Sequence, residues 1–169
     1  MKKIGLFYAA EAVKTSHIAR KIREALGAGN LDIIPVEKAW GDDFEAYDNL
    51  IIGASTWFDG ELPTYWDELV PELETLDLKG KKAALFGLGD QVSYPDNFAD
   101  GLGILGDALE KAGARLVGFT STGEYSFNHS RALRGSQWCG LVIDVENQSG
   151  LTDKRIKEWC EQLKKEFAQ

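Results

Sequence analysis

Cysteine is scarce in this chain, with two residues in 169, and Cys139 and Cys160 stand in neither a CxxC nor a Cys/His ligand spacing. That excludes a disulfide framework and a structural zinc, and reads as reduced thiols of a cytoplasmic protein. Long apolar runs are missing too. None approaches the roughly 20 residues that a bilayer-spanning helix needs, and the opening MKKIGLFYAA passes into strand-like sequence without a small-residue cleavage site. Neither secretion nor membrane insertion is expected. The third deficit is in basic residues: 19 Lys and Arg face 27 Asp and Glu, for a net charge of -8. Nucleic-acid sites concentrate Lys and Arg along the phosphate backbone, so no nucleic-acid partner is expected. Between Ala39 and Leu78 there is no Lys or Arg at all, against eleven acids. This stretch is either a solvated acidic face or a docking surface for a basic partner.

The chain does have apolar content, 44%, enough to close one core of ordinary domain size. Residues 1–169 therefore read as a single domain. Lys3 to Tyr8 is a short apolar run of strand type, and Ile18, Ile22, Ala25 and Leu26 follow at helical spacing up to Gly27. Leu31 to Val36 and Leu50 to Ile52 read as the second and third strands, with a short acidic segment around Phe44 to Tyr47 between them. Pro63 opens a helix where its missing N–H costs nothing, with Trp66, Leu69, Val70 and Leu73 as the buried stripe. Lys82 to Gly87 is a fourth strand, apolar in succession as strands covered on both faces are. Phe98, Leu102, Leu105, Leu109 and Ala112 mark the next helix, and Arg115 to Thr120 starts a fifth strand. A polar segment over 121–137 precedes Trp138 to Ile143. Thr152 is the candidate cap of a final helix lined by Ile156, Trp159, Cys160, Leu163 and Phe167. Strands alternating with helices at this spacing imply an α/β domain with a parallel sheet and right-handed crossovers.

In such a sheet ligands bind beyond the carboxyl ends of the strands, where the strand order reverses. Three loops leave those ends here: Ala9 to Thr15, Ser55 to Leu62, and Gly87 to Phe98. The last two carry Trp57 and Tyr94, which either pack down onto the domain or pair as a slot for a flat aromatic ring. Neither His17 nor His129 stands in a nucleophile–base arrangement, and both read as surface residues.

Taken in order, the segments KKIGLFY, STW, GELPTYWDEL, ALFGLGDQVSYPDNFADGLG, GLVIDVENQS and LTDKRIKEWCEQLKKEF resemble those of a long-chain flavodoxin over essentially the whole length. The block GLGDQ-x-x-YPDNF is the most specific. The resemblance implies a flavodoxin-like three-layer sandwich: a five-stranded parallel sheet in the order 2-1-3-4-5 with helices on both faces. The 121–137 segment would be the insertion that splits the fifth strand of long-chain members. The implied ligand is FMN, with its ring between Trp57 and Tyr94. The turn Trp57-Phe58-Asp59-Gly60 would offer the 58–59 peptide to the reduced ring. Backbone groups of Asp90 and Gln91 would meet the pyrimidine edge, Gly89 and Asn97 would also belong to the cofactor site, and Thr56 and Glu146 would lie near the ribityl chain. The implied function is a monomeric low-potential one-electron carrier, not a turnover enzyme, serving redox partners with basic docking faces.

One loop departs from the family. Its usual pattern, a small residue and then hydroxyl-x-hydroxyl-Gly-x-Thr, grips the FMN phosphate at a helix N-terminus. Here Ala9, Ala10, Glu11, Ala12, Val13, Lys14 and Thr15 stand in those places. Two hydroxyls are lost, each worth roughly 1.5 to 3 kcal/mol toward a charged acceptor. Val13 replaces the glycine, and a β-branched residue resists positive φ if the loop demands it. Thr15, Ser16 and the backbone amides remain, and Lys14 adds a charge. Three outcomes stay open: FMN held more weakly through main-chain amides alone, a flavin lacking phosphate such as riboflavin or another aromatic ligand in a remodelled pocket, or no flavin and a role as an interaction or regulatory module.

Overall fold

The computed structural model describes residues 3–57 and 59–169. In chain order the elements are β1 (Ile4–Tyr8), α1 (Val13–Leu26), β2 (Leu31–Pro35), α2 (Gly41–Glu45), β3 (Asn49–Ser55), α3 (Thr64–Leu73) and β4 (Lys82–Leu88). Then come α4 (Asp100–Lys111), β5 (Arg115–Val117), the short strands β6 (Thr120–Ser121), β7 (Leu133–Arg134) and β8 (Gln137–Trp138), β9 (Leu141–Ile143) and α5 (Thr152–Ala168).

The central sheet is parallel, in the order β2-β1-β3-β4-β5, with β9 also paired to β4. β1, β3, β4 and β9 are buried on both faces, which is why they read as continuous apolar runs, whereas the edge strands β2 and β5 are only partly buried. Side chains alternate between two cores. Ile4, Leu6, Ile51, Ala84 and Phe86 pack under α1 and α5 against Ile18, Ile22, Trp159 and Leu163. Phe7, Leu50, Ile52 and Leu85 pack under α3 and α4 against Trp66, Leu69, Leu102 and Leu105. Each large apolar side chain removed from water contributes about 1.5 to 3 kcal/mol, so the two cores hold the helices on the sheet from both sides. The three-layer sandwich and its strand order are as expected from the family resemblance.

The fifth strand is broken for a local reason. Gly118 takes a φ of 79°, its amide donates to Glu166 Oε2 at 2.6 Å, and its carbonyl accepts from Trp159 Nε1 at 2.8 Å. Both bonds tie that residue to α5 instead of β4. After β5 the chain leaves the sheet, builds the antiparallel unit β6-β8-β7 from the 121–137 segment, and returns as β9 alongside Phe86 to Leu88. The fifth strand of the parallel sheet therefore ends at Val117, and Thr120 belongs to β6 of the small antiparallel unit.

Two helix starts differ from expectation. Pro63 is the residue before α3, with an extended ψ of 145°, as suits a residue that cannot donate. Thr152 is already inside α5, makes no capping bond, and its Oγ1 is buried without a partner. Cys139 and Cys160 are free and buried, and burial pushes their thiols up to about 11 and about 12. Among the described residues no helix is long and apolar enough to cross a membrane.

Candidate functional site

The sheet order reverses between β1 and β3. At the carboxyl ends of these strands and of β4 lies a cavity of about 350 Å³. Ala12, Val13, Lys14 and Thr15 wall it from the start of α1; Ser55, Thr56 and Trp57 come from the end of β3. Leu88, Gly89, Asp90 and Tyr94 line it from the end of β4, and Val145 and Glu146 from the segment after β9.

Trp57 is set by a narrow turn. Its N–H donates to the Glu61 carbonyl at 2.7 Å and its carbonyl accepts from Glu61 N at 2.7 Å. The turn closes through Gly60, whose φ is 92°. A Cβ at Gly60 would lie 2.6 Å from Asp100 Oδ2 and 3.2 Å from Asn97 Cβ, so only glycine serves there. Asn97 thus stands behind the turn, outside the cavity lining, and Asp59 is exposed at the turn's tip. Phe58 lies outside the described residues. Thr56 lines the cavity, and its Oγ1 accepts the Gly101 amide at 3.0 Å, which anchors the start of α4 to the end of β3.

Asp90 builds the loop that carries Tyr94. Its Oδ1 accepts Val92 N at 3.1 Å, Ser93 N at 2.9 Å and Asn147 Nδ2 at 2.8 Å, and its carbonyl accepts Tyr94 N at 2.9 Å. These donors, Ser93 N–H first, hold the carboxyl below its usual range. Tyr94 remains 47% exposed and Trp57 42%, although both line the cavity. Aromatic area of that size left partly open beside a cavity is a contact surface for a flat ring. Gln91 is a correction: its N–H donates to the fully buried Asp144 Oδ2 at 3.0 Å, and its Nε2 to the same oxygen at 2.7 Å. That amide is turned inward and does not face a ligand.

The first loop is the start of α1. Ala10 and Glu11 form a turn and Ala12 precedes the helix in extended conformation. Val13 takes helical backbone as the first residue of α1, 77% exposed, so the β-branched residue meets no demand for positive φ. Ser16 N–H donates to Ala12 O at 2.9 Å and Ala12 N–H to Ala9 O at 3.1 Å. Among the described residues the amides of Glu11, Val13, Lys14 and Thr15 receive no acceptor from within the chain. Thr15 is 1% exposed and its Oγ1 has no partner. Lys14 Nζ pairs with Glu146 Oε1. The Ala10 amide is engaged by both oxygens of Glu37, at 2.8 and 3.0 Å. Open amides at a helix start, a buried hydroxyl in need of an acceptor and a lysine make an anion seat.

Ten expected residues thus meet in one cavity: Ala12, Val13, Lys14, Thr15, Thr56, Trp57, Gly89, Asp90, Tyr94 and Glu146. Ala10, Glu11, Asp59 and Gly60 sit in the turns that shape it, outside its lining. Ser55 and Leu88 belong to the strand-end loops read from sequence, without a role of their own, and Val145, Asp144 and Glu37 were not singled out. Glu37 and Asp144 act through long-range bonds with no local signal.

The sequence model of the flavodoxin family matches residues 6–159. The chain belongs to the flavodoxin family. It is 46% identical to a flavodoxin of Nostoc sp. over 166 residues, 98% of each chain. With flavodoxin 1 of Escherichia coli it shares 39% over 164 residues, 96% of this chain and 93% of that one. The crystal structure of Fusobacterium nucleatum flavodoxin bound to flavin mononucleotide matches with a TM-score of 0.93 at 35% identity, covering 98% of this chain and 99% of that one. Flavodoxins are themselves a standing example of ligand binding at the β1/β3 switch point, and in this member the cavity opens at that point.

Proposed function

We propose that this flavodoxin-family chain holds FMN without a covalent bond and works as a low-potential one-electron carrier between redox enzymes, with no substrate turnover of its own. One observation carries the reading: a single cavity joins two part-exposed aromatics, Trp57 and Tyr94, to the open amides and orphaned Thr15 hydroxyl at the start of α1. That pairing suits a molecule with a flat ring at one end and an anion at the other. The Fusobacterium nucleatum relative is bound to that molecule.

FMN, when bound, supplies a ring that takes up and gives back electrons one at a time. Trp57 and Tyr94 would hold the ring, with the Asp59–Gly60 turn and the Gly89–Asp90 backbone at its edges and Asn97 behind the turn. Thr56 and Glu146 would take the ribityl chain. The amides of Glu11 to Thr15 and the Thr15 hydroxyl would receive the phosphate, with Ala10 and Ala12 giving backbone shape only. The charged side chains lining the cavity are Asp90, Glu146 and Lys14, and Lys14 is already paired to Glu146. Negative surroundings raise the free energy of each further negative charge, which favours a low potential.

All eleven acids of the 39–78 stretch are at least partly exposed. Trp40, 75% exposed, and Tyr65 stand among them. An acidic field with an apolar knob suits transient docking of a monomer onto basic faces of redox partners. The buried free thiols support a cytoplasmic setting.

The test is direct. After incubation with FMN and desalting, chromophore released from the chain should be FMN by mass, near one per chain. A chain that stays colourless contradicts the proposal.

A further inference from the structure

We infer that Glu37 sets how strongly the cavity prefers FMN over its dephosphorylated form, an inference that rests on the flavin reading above. Glu37 lies in the single helical turn after β2, 27 residues beyond Ala10, yet both of its carboxylate oxygens accept the Ala10 N–H, at 2.8 and 3.0 Å. Its own carbonyl accepts Tyr65 Oη–H at 2.9 Å from the first turn of α3. The carboxylate is therefore aimed at the β1–α1 loop by a backbone held from the other side.

The loop needs such a hold. Alanines at 10 and 12 offer no side-chain bond of their own, so the turn is fixed from outside: Glu37 takes the Ala10 amide and Ser16 Oγ donates to the Ala10 carbonyl at 3.1 Å. The hold brings a charge with it. Among the described residues no Lys, Arg or His forms an ion pair with Glu37. Its negative charge consequently stands unneutralised on the same turn whose next amides open the anion seat. Lys14, the cation of that seat, is drawn to Glu146.

FMN and riboflavin share the ring and the ribityl chain and differ by the phosphate, which carries about 1.5 to 2 negative charges at neutral pH. A fixed carboxylate near the seat acts on that difference and leaves ring binding alone. It lowers the affinity for FMN, not for riboflavin.

Glu37→Gln separates charge from hold, because the amide oxygen of glutamine still accepts the Ala10 N–H. Dissociation constants for FMN and riboflavin are measured in parallel by flavin fluorescence quenching on the full chain, its Glu37→Gln variant, and Glu45→Gln as a control for total charge. Glu37→Gln should tighten FMN about tenfold and leave riboflavin within about twofold, while Glu45→Gln shifts neither. Equal shifts of both flavins by Glu37→Gln, or the same shift from Glu45→Gln, or no shift of FMN, overturns the inference while the FMN reading stands. Failure of the unmodified chain to bind either flavin removes both.

Discussion

Lys14 and Glu146 meet at the edge of the cavity, Nζ donating to Oε1, and so tie the start of α1 to the segment after β9. The pair draws the cation of the anion seat toward a carboxylate. Their side chains are 63% and 48% exposed, so the pair itself contributes little to stability. Glu146→Gln should free Lys14 and tighten FMN about threefold, and Lys14→Ala should weaken it by a similar factor. Both variants should unfold within a few degrees of the parent, and fluorescence titration alongside thermal melts checks the two claims together.

Thr15 predicts a larger effect with a cleaner sign. Its hydroxyl is buried and unpartnered, so Thr15→Val keeps the shape and removes one donor to phosphate. The variant should be at least as stable as the parent, because a buried polar group without a partner is lost. Its FMN affinity should fall by about one charge-assisted hydrogen bond, roughly tenfold or more, with riboflavin unchanged. An equal loss for both flavins would place Thr15 in the packing of the loop.

The parts that could be read from sequence were those with local periodicity. Apolar runs and helical stripes showed the alternation of strands and helices, and Trp57 and Tyr94 stood out as aromatics in turns at strand ends. Interactions between distant segments were not legible. Nothing near Gln91 signals that Asp144, 53 residues on, takes its amide, and nothing near Glu37 signals Ala10. Thr152 resembles a cap by residue type, yet the preceding turn at 149–151 already leads into α5. Val13 looked strained by analogy with a glycine, and the helical start of α1 removes the strain.

Two carboxyls should leave opposite marks on the pH dependence. Asp90 is held below the usual range by its bonds to Ser93, Asn147 and Val92. Its stabilisation is therefore complete above the ordinary carboxylate range and is lost as pH falls through its depressed value, below about pH 4. Asp100, which accepts the Arg131 amide at 2.7 Å, is raised by burial. Its cost is absent in acid and grows as pH rises from the ordinary range through the raised value. Asp100→Asn should then melt higher than the parent near neutrality and match it below about pH 4. Asp90→Asn should melt lower near neutrality and converge in acid. Melting temperatures across this range decide both.

Association with a basic redox partner should weaken steeply with salt, since screening acts over about 10 Å at 0.1 M. Trp40→Ala should weaken it further at every salt concentration, with flavin binding untouched, because an exposed aromatic contributes contact area, not charge. Titration calorimetry against a basic electron-transfer flavoprotein reductase checks this. Affinity indifferent to ionic strength would remove the acidic stretch from the docking surface.

Counted reduction of the FMN-loaded chain tests most directly whether it carries electrons singly. With reductant added in known equivalents and the visible spectrum followed, two separated steps of one electron each are expected, the second at the lower potential. A single two-electron step, or a purified chain that takes up no FMN to be reduced, contradicts a one-electron carrier.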